Sequence, residues 1–185
     1  DRVFYPRLGR TEVKKPIVLV GNPRTGTTFL QRFMCDERYG AGLEVYRMLY
    51  PSLVIQAVLR PFLPLLEAVA PTRYHKTKAH DTSLQSVETD DVGVLFKYFD
   101  GFFLYGFFLA FDEVDHEKEF TPEVRDTSVR DFEWLDTLWR RSLVAHDSDV
   151  VIAKLFSLGT RLPQFLKRFP DARILYMARD PLATI

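Results

Sequence analysis

The sequence predicts an α/β fold in which a parallel sheet is flanked by helices. Three observations carry this. Residues 17–20, 150–153 and 173–177 are short runs that are apolar nearly throughout, the pattern of strands covered on both faces by helices. Segments with apolar residues at helical spacing lie between them. A turn bounded by Gly21 and Gly26 joins the first run to a helix. One domain over residues 1–185 fits this length, and 46 % hydrophobic residues is enough to build its core.

In chain order, the first strand runs straight into Gly21-Asn22-Pro23-Arg24-Thr25-Gly26-Thr27-Thr28. A helix follows from Thr27 to about Arg38, with Leu30, Phe33 and Met34 on one face. A second helix is predicted from Ser52 to about Arg60 on Leu53, Val54, Ala57, Val58 and Leu59, broken by Pro61 and Pro64. Glu88-Thr89-Asp90-Asp91 reads as a helix start, where acidic residues favour the first turn, with an acceptor-binding role for Glu88 as the alternative.

Residues 92–111 are nearly long enough to span a bilayer, but Lys97 and Asp100 interrupt them and three glycines weaken a continuous helix. The expectation is a core helix that walls a substrate pocket, with membrane-surface contact as the alternative. Such an aromatic wall suits a phenolic or lipidic acceptor. Thr127 to about Ala145 carries Val129, Phe132, Leu135, Leu138 and Trp139 as one helical stripe. The last helix is predicted to start at Thr160 as N-cap, to tolerate Pro163 in its first turn and to end at Pro170.

Each apolar run leads to a cationic group: Arg24 in the turn, Lys154, and Arg179. Ligands in open α/β sheets bind beyond the carboxyl ends of the strands, so the three cations can face one pocket. The turn has the layout of a phosphate cradle, where backbone N–H groups and the positive end of a helix converge on an anion. Its glycine spacing is that of a nucleotidase loop. A triphosphatase also needs Lys and then Ser or Thr after the second glycine, for the phosphates and Mg²⁺. Thr27 occupies the Lys position here, which argues against Mg·ATP hydrolysis.

Lys+Arg and Asp+Glu are 25 each, so the excess cation of a general nucleic-acid binder is missing. Cys35 is the single cysteine, which excludes an internal disulfide and a thiolate metal site; it reads as a buried free thiol. His75 and His80 are five apart, not the i, i+4 of a helical metal pair, and no metal is expected. Both chain ends read as cuts.

Pro-Arg-Thr-Gly-Thr-Thr at residues 23–28 resembles the 5′-phosphosulfate loop of sulfotransferases that use 3′-phosphoadenosine-5′-phosphosulfate (PAPS), above all the small-molecule and tyrosylprotein-type group. Val150-Val151-Ile152-Ala153-Lys154 resembles that group's strand ending in a catalytic Lys. Residues 169–181 resemble its strand and Arg-Asp turn for the 3′-phosphate.

The resemblance implies a P-loop-like three-layer sandwich, PAPS as co-substrate and sulfuryl transfer to an acceptor hydroxyl or amine. It implies Arg24, Thr25, Gly26, Thr27, Thr28 and Arg179 as nucleotide contacts, with Arg24 and Lys154 catalytic. A further Ser for the 3′-phosphate would lie beyond Ile185. Glu44 stands where tyrosylprotein-type enzymes carry their base; a helix-start Glu is the structural alternative, and His75 and His80 are the rival bases. For Arg24 the alternative is a surface ion pair, and for Arg179 a pair with Asp180. A small-molecule kinase, or an inactive nucleotide-binding or membrane-associated module, are the competing functions. Small-molecule or lipidic acceptors are the expected partners and the cytoplasm the favoured location; acceptor identity and oligomeric state are left open.

Overall fold

A computed structural model describes residues 1–70 and 82–180. Three parallel strands, β1 (Ile17–Gly21), β2 (Ile152–Lys154) and β3 (Arg173–Met177), form a sheet in the order β2-β1-β3. They fall on the three apolar runs, except that β2 is shorter at its start, where Val151 bridges Ala41 instead. In the middle strand, Leu19 stands opposite Lys154 on one side and Leu175 on the other. The carboxyl ends of all three strands therefore share one edge of the sheet, with the turn after β1 between the other two.

The helices are α1 (Thr27–Asp36), α2 (Val45–Leu49), α3 (Leu53–Leu59), α4 (Leu63–Val69), α5 (Asp91–Tyr98), α6 (Glu117–Phe120), α7 (Ser128–His146) and α8 (Leu158–Arg168). The pleat sorts them onto two faces, because successive side chains of a strand point to opposite sides. Val18 and Ala153, opposite in register, join the core built by Phe132, Leu135, Leu138 and Trp139 of α7 and Phe165 of α8. Lys154, one residue on, turns to the other face, where Thr28 of α1 meets it. Gln31 of α1 also donates to the Ile152 carbonyl, at 3.3 Å. Helix, sheet and helix are thus stacked in three layers.

Several sequence expectations are corrected. Phe132, Leu135, Leu138 and Trp139 are buried, but Val129 is 73 % exposed. Ser128 and Asp131 take the inward positions of that turn, because Asp131 accepts from Arg161 of α8 at 2.7 Å. Thr160 does not cap α8: the helix begins at Leu158, its backbone leaves helical angles at Arg161, and Pro163 sits in the turn after this kink. The end before Pro170 is as expected. Pro61 falls in a 3₁₀ turn (Arg60–Phe62) and Pro64 in the first turn of α4, so the chain restarts a helix after the break, where a missing N–H costs nothing. Strand β3 is exposed at Arg173, Leu175 and Tyr176 among the described residues, as only Ile174 of this strand packs against the core. Cys35 is half-buried, and burial pushes its thiol up to about 12.

The aromatic run is not one core helix. It leaves α5 at Phe99, turns through left-handed angles at Phe99 and Gly101, and continues as a π-helical turn, Leu104–Phe108. Asp100 pins this corner, accepting from Arg125 at 2.7 Å, Arg130 at 2.8 Å and the Gly101 N–H at 2.7 Å. Burial pushes its carboxyl up, but these bonds bring it well below the usual carboxylate range. Phe99, Phe107, Phe108 and Phe111 are exposed. Among the described residues no helix is long and apolar enough to cross a membrane.

Gly21 is a close approach rather than a flexible link. A Cβ there would lie 2.6 Å from the Met177 carbonyl oxygen and 2.8 Å from Thr25 Oγ1. Neither is the tip of a long side chain that can swing away. Gly21→Ala is expected to lower the free energy of unfolding by about 1–3 kcal/mol, the usual range for overpacking, measured by urea denaturation. An unchanged midpoint would show that β1 and β3 can separate freely at this end.

Candidate active site

The turn after β1 is compact and has the layout of an anion cradle. Thr25 folds back on Asn22, its hydroxyl donating to the Asn22 carbonyl at 2.7 Å and its N–H at 3.3 Å. Gly26 opens α1 at φ 92, a left-handed angle that a Cβ would penalise. Arg24 adopts φ 67 despite its side chain; such angles cost free energy and gather where a loop serves a ligand. The first N–H groups of α1 have no acceptor within the helix, so they and the helix dipole present positive potential at residues 26–28. Thr27 is buried and Thr28 half-buried.

Lys154 faces this cradle from the end of β2. It is 2 % exposed, and its Nζ donates to Thr28 Oγ1 at 2.8 Å. Glu88 Oε2 lies 3.9 Å from the same Nζ. The other Glu88 oxygen accepts from Arg32 Nη2 at 2.6 Å. Burial pushes Lys154 down, and the charges of Glu88 and Asp90 recover only part of that shift. On the far side of β1, Arg179 is exposed and its Nη1 donates to the Arg24 carbonyl at 3.3 Å. The described geometry thus links Arg179 to the middle of the loop and Lys154 to the first turn of the helix that follows it.

Glu44 is placed differently. It is the N-cap residue of α2 by backbone angle, although its side chain caps nothing. The carboxylate instead accepts from Arg47 at 2.7 Å and lies 3.2 Å from His146 Nε2 at the end of α7. Its backbone pairs with Val87 in an antiparallel bridge. Opposite residues in such a pair share a face, and the next residue takes the other. Glu44 and Val87 therefore face one way, and Glu88 faces the other, toward Lys154. His75 and His80 lie outside the described residues. Among the described residues no group of three or more His, Cys, Asp or Glu could hold a metal ion.

Sequence reasoning passed over Arg32 and gave Glu88 only an alternative role. The signal for Arg32 was its spacing: Thr28 and Arg32 are i, i+4 on α1 and share a face. Nothing in the sequence marks Arg47 and His146 as partners of Glu44 rather than as ordinary surface cations.

A central parallel strand, a glycine-framed turn and a helix opening on an anion cradle define a P-loop-like α/β protein. The chain belongs to the Sulfotransferase family, whose model matches residues 16–185. Its structure is similar to sulfotransferase STF1 from Mycobacterium tuberculosis H37Rv, with a TM-score of 0.63 and 19 % identity over 96 % of this chain and 49 % of that one. It is also similar to sulfotransferase STF9 from Mycobacterium avium, with a TM-score of 0.52 and 20 % identity over 97 % of this chain and 46 % of that one. The chain thus spans about half the length of these solved structures. A search of curated proteins finds no match.

The Glu44 contacts have a measurable consequence. Burial pushes its carboxyl up, but His146 and Arg47 more than offset this, so the net shift is down. A carboxyl lowered on folding stabilises the protein above its unfolded pKa and loses that contribution as the pH falls through the folded one. Glu44→Gln should cost about 2 kcal/mol at pH 7, the scale of a hydrogen bond to a charged group. It should also flatten the loss of stability on acidification below about pH 4.5. Urea denaturation across pH reads both; a variant as stable as the parent would show that the contacts with Arg47 and His146 contribute nothing.

Proposed function

We propose that the protein is a PAPS-dependent sulfotransferase acting on a small-molecule or lipidic hydroxyl or amine. The observation that carries this is the buried Lys154 ammonium, held against Thr28 at the mouth of the anion cradle. A lysine is rarely buried unless its charge is paired, and this one is turned to Thr28 as well as to Glu88. The cradle fits a nucleotide phosphosulfate: its donors are backbone N–H groups, threonine hydroxyls and cations, with no carboxylate ligand set for Mg²⁺ in the loop itself. PAPS supplies the sulfuryl group, and its phosphate side gains negative charge as the bond to sulfur breaks.

The roles proposed for the chain's own residues follow from that charge. Arg24, Thr25, Gly26, Thr27 and Thr28 bind the 5′ side, with the loop amides and the α1 dipole fixed before the reaction begins. Lys154 meets the charge that grows on the leaving phosphate. Arg179, an exposed cation at the end of β3, binds the 3′-phosphate. Glu44 is the proposed base on the family resemblance alone, since its side chain faces away from Lys154. A second role for Glu44 is favoured by its contacts with Arg47 within α2 and with His146, the latter tying α2 to the end of α7. Turnover of Glu44→Gln separates the two: loss of the base lowers it by about two to four powers of ten, whereas loss of these contacts alone leaves the folded enzyme near-normal.

The binding test is calorimetry with 3′-phosphoadenosine-5′-phosphate, AMP and ATP, with and without chelator. The 3′-phosphorylated nucleotide should bind far more tightly than the other two and without Mg²⁺. Equal binding of AMP, or a strict need for Mg²⁺, would overturn the assignment and revive a kinase reading. Labelled PAPS with a panel of alcohols, phenols and amines then identifies the acceptor class.

Lys154→Ala tests the catalytic role. An interaction that strengthens in the transition state appears in kcat more than in ground-state affinity. The variant should lose about a hundredfold or more in kcat, the scale of one lost oxyanion donor, while nucleotide affinity changes much less. Rates within a few-fold of the parent would make Lys154 structural.

A further inference from the structure

Residues 88–91 reach Lys154 at nearly every polar atom it has. The Asp90 carboxylate accepts the Lys154 N–H at 2.7 Å through Oδ2. The Lys154 carbonyl accepts the Asp90 N–H at 2.9 Å, and Thr89 Oγ1 lies 3.0 Å from the same oxygen. Asp91 Oδ2 accepts the N–H of Phe156 at 2.6 Å and of Ser157 at 3.3 Å, which ties down the chain just after Lys154. Glu88 faces the ammonium itself, 3.9 Å from Nζ. Asp90 is in turn fixed by Trp139 Nε1, which donates to its Oδ1 at 2.9 Å. Glu88, Asp90 and Asp91 are all buried.

A helix start needs none of this. Asp90 stands at the N-cap of α5 and makes no side-chain cap bond; its carboxylate is spent on β2 and α7 instead. Three acidic side chains and a hydroxyl on four consecutive residues converge on one lysine and the two peptide N–H groups beyond it. That exceeds what strand pairing requires, since Lys154 already stands in register with Leu19 of β1.

We propose that residues 88–91 form a dedicated cradle for Lys154, and that Glu88 is the positioning residue that keeps its ammonium charged and aimed at Thr28. The proposal rests on the reading of Lys154 as the group that meets the leaving phosphate. Glu88 stands between two cations, Arg32 of α1 and Lys154 of β2. Without the carboxylate these would repel one another across the pocket wall. With it, Arg32 holds Oε1 while Oε2 lies 3.9 Å from Nζ. Among the described residues, Glu88, Asp90 and Asp91 favour the charged form of Lys154 and Arg32 opposes it. Burial pushes the Asp90 carboxyl up to about 7, so any effect of Asp90 titration falls near neutral pH. Loss of the Lys154 proton is read on the alkaline side of the profile.

Glu88→Gln keeps the shape and an acceptor for Arg32 but removes the charge. An opposite charge at this range moves a titration by about one unit or more. Side-chain NMR of Lys154, labelled at Cε and Nζ, should show its midpoint falling by about that amount. The alkaline limb of kcat should move to lower pH with it, while affinity for 3′-phosphoadenosine-5′-phosphate at a pH below the measured Lys154 midpoint of both proteins stays within about threefold. Glu88→Asp should restore most of the parent profile. Arg32→Gln should shift the Lys154 midpoint the opposite way, to higher pH, and serves as the second variant if Glu88→Gln does not fold. An unmoved Lys154 midpoint in either variant overturns the proposal. A parent protein with no transferase activity would instead overturn the reading of the site, and the NMR titration would still decide the coupling of Glu88 to Lys154.

Discussion

The burial of one ammonium group governs how this structure is arranged. Taking an ion of that size out of water costs several kcal/mol even after relaxation, and a low-dielectric surrounding recovers it only with good partners. Lys154 is almost fully buried at the end of β2, so the elements around it must supply those partners. Helix α1 must begin at Thr27 for Thr28 to face Nζ, which in turn fixes where the turn after β1 has to end. The pairing of Leu19 with Lys154 sets how far the lysine projects beyond the sheet. The chain before α5 must cross the end of β2 for Glu88 to reach the ammonium. A residue earlier or later in any of these elements would leave the charge unpaired, and an unpaired buried charge is among the few single defects that unfold a small protein.

Much of this was legible in the sequence because it rests on periodicity. Three apolar runs gave three strands because their apolar residues lack a helical period, although β3 is exposed at Arg173, Leu175 and Tyr176 rather than covered on both faces. The stripe of Phe132, Leu135, Leu138 and Trp139 gave α7 because it has that period. The glycine-framed turn gave the cradle, because Gly21 and Gly26 are required by a close approach and a left-handed angle rather than by composition. What periodicity could not give were contacts between residues distant in the chain. Val129 reads as a continuation of the apolar stripe, yet the inward position goes to Asp131, whose partner Arg161 is 30 residues away. Residues 92–111 look like one hydrophobic helix, but the left-handed corner at Phe99 and Gly101 is held by Asp100 through arginines that follow 25 and 30 residues later.

The two carboxylates, Glu44 and Glu88, show the same limit in the site. The resemblance favours Glu44, because it stands where tyrosylprotein-type enzymes carry their base. The fold brings both segments together as one antiparallel bridge, and there the period of two sends their side chains to opposite faces. Which carboxylate meets Lys154 is therefore decided by the register of a single pair, Glu44 with Val87. A slip of one residue would bring both carboxylates to the same face. Neither residue's local sequence contains that information.

The site divides into a fixed part and an exposed part, and the division follows from what each has to do. Lys154 is tied at its N–H, its carbonyl and its ammonium before any ligand arrives. A group proposed to meet charge that exists only in the transition state gains from this, because no reorganisation is left for the moment of reaction. Arg24 and Arg179 are exposed, and the one hydrogen bond that joins them runs to a backbone carbonyl. Their long side chains keep the freedom to close over a nucleotide, and the left-handed angle at Arg24 is a local strain that ligand contacts can offset. Residues proposed to capture the nucleotide lie where it can enter, and the residue proposed to act on the breaking bond lies where water cannot compete for its charge.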